Sequence, residues 1–146
     1  ANADYKKKLF DLRDGLGLRG AAHFLAEHTQ EFLPDAVIAD FFRLADALLM
    51  PSREEGFGIP LIEAALTRLP IFCADIPPLR DLGDADVSLF SPDAQPDEVA
   101  ALIAARLRAD QAYRFSIRAK RRFTWDAIYA ESIAPLLESV SIGGQP

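Results

Sequence analysis

Short apolar runs alternate with longer amphipathic segments along the 146-residue chain. Two runs, Ala21–Leu25 and Ala47–Met50, have the length and sharp ends of buried strands. Apolar residues at helical spacing, with Pro or Asp near several starts, predict helices over Asp4–Leu16, Leu33–Ala45, Asp97–Leu107, Asp110–Phe123 and Trp125–Val140. An alternation of strands and helices indicates an α/β fold with a parallel, doubly wound sheet.

Composition narrows the class of protein. Half of the residues are hydrophobic and 26% are charged, which is typical of a globular α/β domain. No apolar run approaches the roughly 20 residues that a membrane span requires, so no membrane-spanning segment is expected. A formal net charge of −6 argues against nucleic acid as a main partner. The single cysteine, Cys73, rules out an internal disulfide framework and favours a reducing, cytoplasmic compartment.

The segment Pro51–Glu63 carries the strongest functional signal. It follows the apolar run Ala47–Met50, and Pro60 within it suits the first turn of a helix. A turn of this kind lies at the carboxyl end of a strand, where open α/β sheets bind ligands. Gly56 and Gly58 allow a tight bend and a close approach of backbone to ligand. The free N–H groups at the helix start suit phosphate oxygens.

Two carboxylates flank this turn. Glu55 precedes it and Glu63 follows eight positions later, about one turn into the predicted helix. Carboxylates are poor ligands for phosphate but good acceptors for the vicinal hydroxyls of a sugar or a ribose. Phosphate on backbone amides, with hydroxyls on the carboxylates beside it, describes a nucleotide-sugar.

At this point the sequence resembles a known family. Glu55–Ala64 is similar to the signature of the group 1 (family 4) retaining glycosyltransferases, which have the GT-B fold of two Rossmann-like domains facing a cleft. The resemblance covers roughly residues 3 to 138. Two further strands of the family are matched by Pro70–Asp75 and Ser88–Pro92, and the turn with an acidic position between them is matched by Pro78–Ala85. The segment that leads into the motif is matched by Phe42–Ser52, and the aromatic opening of the last helix by Phe123–Trp125.

The chain departs from the family pattern at two places. Thr67–Pro70 stands where the family has a small residue followed by Gly-x-Pro. Without that glycine, a left-handed residue at the helix end would cost about 1 kcal/mol. Asp81 stands where the family generally has Glu.

The resemblance implies a Rossmann-like parallel sheet flanked by helices, as part of the carboxyl-terminal domain of a GT-B glycosyltransferase. Residues 1–146 are then expected to form a single nucleotide-sugar-binding domain. It would lack its first strand–helix–strand unit, with the basic pair that grips the diphosphate, and the acceptor-binding domain. Residues 141–146 are expected to fray, and this chain alone is expected to be inactive.

The resemblance also implies roles for individual residues. Glu55 would be the catalytic residue that positions the donor sugar, and Glu63 would hold the ribose of the nucleotide. Donor sugar and diphosphate would lie against Glu55, Gly56, Phe57, Gly58 and Ile59. No metal and no cofactor are expected, because leaving-group charge would be stabilised by backbone amides and the helix start. The substrate would be a nucleoside-diphosphate sugar, transferred with retention to an acceptor hydroxyl.

Partners and alternatives follow from the same comparison. The acceptor, a saccharide or a lipid, would be bound by the missing amino-terminal domain, in polysaccharide or glycoconjugate assembly at or near the inner face of a membrane. A nucleotide-sugar epimerase on the same scaffold and a non-catalytic nucleotide-sugar binding or interaction module stay open. A basic cluster is interpreted as a solvated helix face, with an acidic partner or an anionic membrane surface as alternatives: Arg118, Lys120, Arg121 and Arg122.

Overall fold

The computed structural model describes residues 3–29 and 31–142. Its helices and strands are α1 (Ala3–Gly15), α2 (Asp35–Leu44), β1 (Leu48–Met50), α3 (Ile59–Leu66), β2 (Ile71–Ala74), α4 (Pro77–Gly83), β3 (Ser88–Phe90), α5 (Pro96–Ala109), α6 (Gln111–Arg122), α7 (Trp125–Ile128) and α8 (Ala134–Ile142). Of the tail expected to fray, residues 143–146 lie outside the described residues.

The chain divides into two compact units, the first ending at Ile38 and the second beginning at Ala39. The second unit contains a three-stranded sheet in the order β1-β2-β3. Both pairs of neighbouring strands are parallel. Helices α3 and α4 connect successive strands, which makes each connection a β-α-β crossover. The predicted α/β class, with a parallel sheet flanked by helices, is therefore confirmed.

One face of the sheet packs against α3 and α4. Met50 of β1 and Cys73 of β2 are paired across the strands and belong to the buried core. Leu61 and Ala64 from α3, and Leu79 from α4, belong to the same cluster. Burial raises the pKa of the Cys73 thiol, and the nearby Asp75 charge adds to the shift. Cys73 is thus a small core residue, as its place in an apolar run predicts.

Helix α5 lies against part of the opposite face of the sheet. Side chains alternate between the two faces of a strand, so Leu49 and its partner Phe72 point away from the α3 and α4 side. Phe72 is fully buried, whereas Leu49 is nearly half exposed. A cavity of about 340 Å³ lies on this face, lined in part by Leu49, Phe90 and Ile103. Helix α5 therefore covers this face incompletely.

The first unit is organised around a buried arginine. Arg13 of α1 is only 8% exposed, and its guanidinium lies over the rings of Phe10 and Phe24. Its Nη1 donates to Oε2 of Glu27 over 2.6 Å and also contacts the carbonyl of Ala22. This hydrogen bond holds the pKa of Glu27 below its usual range. The charge of Arg13 is therefore matched where it is buried.

The predicted strand Ala21–Leu25 is wrong. The amides of Ala21 and Ala22 both donate to the carbonyl of Leu18, so this segment begins as a turn, and Leu25–Glu27 then form a single 3₁₀ turn. Phe24 keeps an extended backbone but pairs with no strand in the described part of the chain. The apolar pattern indicates an extended segment, but a parallel strand also needs a neighbour, which the pattern does not supply.

Two other segments differ from expectation. Pro78–Ala85, predicted as a turn, is mostly helix α4, because Pro77 and Pro78 occupy its first turn, where a missing N–H costs nothing. The last predicted helix contains a π-helical turn at Tyr129–Ile133, and the amide of Ala134 donates to the carbonyl of Tyr129. This wider turn ends two residues before Pro135, whose ring cannot continue the regular hydrogen-bond ladder.

Helix α3 ends in a left-handed residue that is not glycine. Thr67 caps the helix, and Arg68 then has φ of +61°. The amide of Leu69 donates back to the carbonyl of Ala64, as in a Schellman-type ending. The turn that the family builds with glycine is therefore retained here at some conformational cost.

Arg68→Gly is expected to raise the free energy of unfolding by about 1 kcal/mol, because glycine adopts this backbone conformation without strain. The measurement is the midpoint of urea unfolding followed by circular dichroism. Arg68→Ala is the matched control, since it removes the exposed side chain but keeps the Cβ atom that causes the strain. An equal gain in both variants would mean that the side chain, and not the backbone, is responsible.

Candidate functional site

The predicted site lies on the loop between β1 and α3, at the carboxyl end of β1. Gly58 precedes α3 with φ of +86° and is buried. A Cβ atom at this position would lie 2.9 Å from Cδ2 of Leu79 and 3.4 Å from Cδ2 of Leu82, both on α4. Glycine is thus required here by the backbone conformation and by the close packing of α4.

Gly56 is different from Gly58. A Cβ atom added to it would meet nothing within 4 Å, and Gly56 is not among the described residues with positive φ. The proposal that both glycines permit a tight bend therefore holds only for Gly58. At Gly56 the backbone is exposed and open to a ligand, which is the other reason for placing glycine there.

The two carboxylates of the motif occupy different elements. Glu55 is half-buried in the loop, and its Oε1 accepts a hydrogen bond from the amide of Gly56 over 3.2 Å. Glu63 is half-buried on α3, about 6 Å along the helix from its first residue. Within the described part of the chain, no hydrogen bond or ion pair engages the carboxylate of Glu63. Its oxygens are therefore available to accept hydroxyl donors.

The apolar residues of the motif point into solvent. Phe57 is 62% exposed and Ile59 is 60% exposed, so neither side chain packs into the core. Their backbone amides lie directly ahead of the α3 helix, where N–H groups have no partner within the helix. The start of α3 thus presents amide donors together with an exposed aromatic ring.

An ion pair joins the motif loop to the loop that follows β3. Nη1 of Arg53 donates to Oδ1 of Asp93 over 2.9 Å, across 40 positions of sequence. Both side chains are exposed, so the pair adds little to stability. It does hold a guanidinium beside the turn. The sequence shows Arg53 next to the motif but gives no sign that Asp93 is its partner.

A second ion pair follows β2 at the same edge of the sheet. Nε of Arg80 on α4 donates to Oδ1 of Asp75 over 2.6 Å, and this hydrogen bond raises the pKa of Arg80. The amide of Asp75 donates to the carbonyl of Phe90. Asp75 thereby connects the carboxyl ends of β2 and β3 to α4, next to the elements that support Gly58. The sequence shows that Asp75 stands at the end of a predicted strand, but not that it pairs with Arg80.

The described residues contain neither a group of metal ligands nor a helix that could span a membrane. Among residues 3–29 and 31–142, no three His, Cys, Asp or Glu side chains are grouped so that they could hold a metal ion. Asp84 and Asp86, which have Asp-x-Asp spacing, form a 3₁₀ turn after α4. No helix in the same described ranges is long and apolar enough to cross a membrane.

Comparison with known proteins decides the family. A family model described as glycosyl transferases group 1 matches residues 2–122, which include the whole motif. The chain belongs to the group 1 glycosyltransferases. The family resemblance carried by Glu55–Ala64 is thereby confirmed, whereas the roles of the individual site residues stay predictions.

The similar proteins are named as sugar transferases. A D-inositol 3-phosphate glycosyltransferase of Jonesia denitrificans is 34% identical over 119 residues, which are 75% of this chain and 28% of that protein. A serotype-specific mannosyltransferase WbdA of Escherichia coli is 37% identical over 65 residues, 44% of this chain and 8% of the relative. An O-antigen chain mannosyltransferase B of Escherichia coli is 27% identical over 110 residues, which are 70% of this chain and 28% of that protein. This group 1 glycosyltransferase chain thus spans no more than about 28% of these relatives.

Proposed function

We propose that the chain is the donor-binding part of a retaining glycosyltransferase, which moves a sugar from a nucleoside diphosphate to an acceptor hydroxyl. The observation that carries this proposal is the arrangement around Gly58. A left-handed glycine places the start of α3 against α4, and two carboxylates lie on either side of that start. Amide donors suit the diphosphate, and carboxylates suit hydroxyl groups.

The two carboxylates have separate tasks in this proposal. Glu55, held by the amide of Gly56, accepts hydroxyls of the donor sugar and positions its anomeric carbon. Glu63, which has no partner of its own among the described residues, accepts the ribose hydroxyls. The diphosphate lies between them, against the amides from Gly56 to Ile59. Leaving-group charge is stabilised there by backbone dipoles and by the helix start, without a metal ion.

The wider activity is proposed from the family. Similar proteins include a D-inositol 3-phosphate glycosyltransferase and an O-antigen chain mannosyltransferase, which supports sugar transfer in glycoconjugate or polysaccharide assembly. A cleft for transfer needs an acceptor site as well, and we assign that site to a partner domain of a longer chain. The donor site can be tested with this chain alone.

A titration followed by NMR chemical shifts tests the donor site. UDP, GDP and ADP, each with and without a common sugar, are added to ¹⁵N-labelled chain. Binding is expected to be weak, because the family resemblance assigns the basic pair that grips the diphosphate to a unit expected to precede these residues. A dissociation constant of about 1 mM would correspond to only about 4 kcal/mol. Shifts are expected to centre on Gly56 to Glu63 and to saturate with one nucleotide.

Two variants separate the roles of the carboxylates. Glu63→Ala is expected to weaken bare nucleotide and nucleotide-sugar alike by about tenfold or more, the size of a lost charge-assisted hydrogen bond. Glu55→Gln is expected to weaken only the nucleotide-sugar. Glu54→Gln, an adjacent exposed carboxylate outside the signature, is the matched control and should leave binding unchanged. Equal losses in Glu54→Gln and Glu63→Ala, or no shifts near Gly58 with any nucleotide, would contradict the proposal.

A further inference from the structure

Basic charge is concentrated on one helix of this acidic chain. Helix α6 carries five of the chain's 16 Lys and Arg residues and no Asp or Glu. Nζ of Lys120 lies 3.7 Å from Oδ1 of Asp46. Within the described ranges, no ion pair engages the guanidinium groups of the other four basic residues: Arg114, Arg118, Arg121 and Arg122. The rest of the chain holds all 22 acidic residues. The charges are therefore strongly segregated.

Helix stability accounts for only part of this charge. Basic residues in the last turn of α6, Lys120 to Arg122, interact favourably with the helix dipole. Arg114 and Arg118 lie further from that end, and like charges four positions apart destabilise a helix. Arg118 is placed over the ring of Phe115 at 5.2 Å from its centroid. A purely solvated face would not require this arrangement.

Large apolar side chains are also exposed on α6 and in the segment that follows it. Phe115 on α6 is 57% exposed, Phe123 at its end is 65% exposed, and Trp125 at the start of α7 is 80% exposed. Single exposed apolar residues are ordinary, but Phe115 lies on the same helix as these arginines, and Phe123 and Trp125 follow within three residues of its end. This part of the chain is therefore a candidate interaction surface.

We propose that the surface of α6 and of the residues that follow it docks on an anionic lipid bilayer. This α6 surface consists of four arginines and three aromatic residues: Arg114, Arg118, Arg121, Arg122, Phe115, Phe123 and Trp125. The guanidinium groups contact headgroup phosphates, and the aromatic rings lie at the headgroup level, as in other interfacial basic helices. The inference goes beyond the proposed function and does not depend on it.

An anionic bilayer fits the composition of this surface. Basic residues along one helix, with exposed aromatic side chains on it and at its end, are typical of helices that lie in the membrane interface. Nucleic acid and acidic proteins also attract arginine, so each is an outcome of the test. Repulsion between the bilayer and the chain's 22 acidic residues is screened beyond about 8 Å at physiological salt.

Trp125 is the only tryptophan in the chain and therefore reports directly on docking. The chain is titrated with phosphatidylcholine vesicles, with or without phosphatidylglycerol, while tryptophan emission and co-sedimentation are followed. Only the anionic vesicles are expected to bind the chain and to shift the emission of Trp125 to shorter wavelength. Binding should weaken when salt is raised to about 1 M, where the screening length falls to about 3 Å.

Paired charge reversals locate the surface. Arg118→Glu with Arg122→Glu is expected to weaken vesicle binding by about tenfold or more. Arg106→Glu with Arg108→Glu on α5 changes the net charge by the same amount and should have less than about a twofold effect. Arg118→Gln with Arg122→Gln replaces the first pair if circular dichroism shows that the Glu variant is unfolded.

Three results would overturn the proposal. The first is failure to bind anionic vesicles, and the second is an equal loss of binding in the α5 and α6 variants. The third is binding of the α6 surface to a single-stranded RNA homopolymer or to poly-glutamate, while vesicles cause no shift of Trp125 emission. That result would assign the surface to a macromolecular partner instead.

Discussion

Leu79→Ala is expected to lower the free energy of unfolding by about 2–5 kcal/mol. Leu79 is fully buried on α4, where it packs with Leu61 and Ala64 of α3 and supports Gly58 from beneath. The truncation removes apolar contacts and leaves a cavity in a cluster that also includes β1 and β2. The measurement is urea unfolding followed by circular dichroism. The slope of the free energy of unfolding against urea concentration is compared with that of the unsubstituted chain, to verify that the transition stays two-state.

The control for this variant is the same change at an exposed leucine. Leu66 on α3 is 81% exposed, so Leu66→Ala should alter stability by less than about 0.5 kcal/mol. Similar losses in the two variants would mean that the α3 and α4 cluster is not the core of the second unit. A large loss confined to Leu79 would tie the stability of the sheet to the helix that also supports the site.

The sheet was predictable because strand signals are local. Residues 47–50 form a short apolar run that ends at a proline, and a run of this kind has few alternatives to a buried strand. The motif and the helix that follows it then force a crossover, which makes the next strand parallel. The start of α3 at Ile59 was likewise indicated, since Pro60 suits the first turn of a helix.

The sequence indicates which residues form the candidate site, but not what surrounds them. The sequence shows that glycine occurs at position 58, but the contact with Leu79, 21 positions later, depends on how α4 crosses the sheet. The same holds for Arg53 and Asp93, whose loops meet only because β1 and β3 end at the same edge. Such pairings are tertiary, and no local pattern encodes them.

The wrong strand at Ala21–Leu25 has a related cause. A short apolar run indicates which side chains can be buried, but a strand also requires hydrogen bonds from a neighbour. Here the amides of Ala21 and Ala22 find the carbonyl of Leu18 instead. Local hydrogen bonds therefore replaced the sheet ladder that the pattern allowed.

Gly58→Ala is expected to lower the free energy of unfolding by about 2–5 kcal/mol, from two separate causes. A left-handed backbone costs a residue with Cβ about 1–2 kcal/mol. Crowding of that Cβ against Leu79, at 2.9 Å from Cδ2, adds about 1–3 kcal/mol. Gly56→Ala in the same loop is the control and should change stability by less than about 0.5 kcal/mol, since a Cβ there meets nothing within 4 Å.

A double-mutant cycle with Leu79→Ala separates the two causes. Shortening Leu79 removes the crowding but leaves the left-handed backbone unchanged, so the double variant should be less destabilised than the sum of the single variants by about 1–3 kcal/mol. Strict additivity would show that backbone conformation alone requires glycine at this position. A favourable coupling would show that α4 presses on the turn, so that packing in the core sets the position of the loop that we propose binds the donor diphosphate.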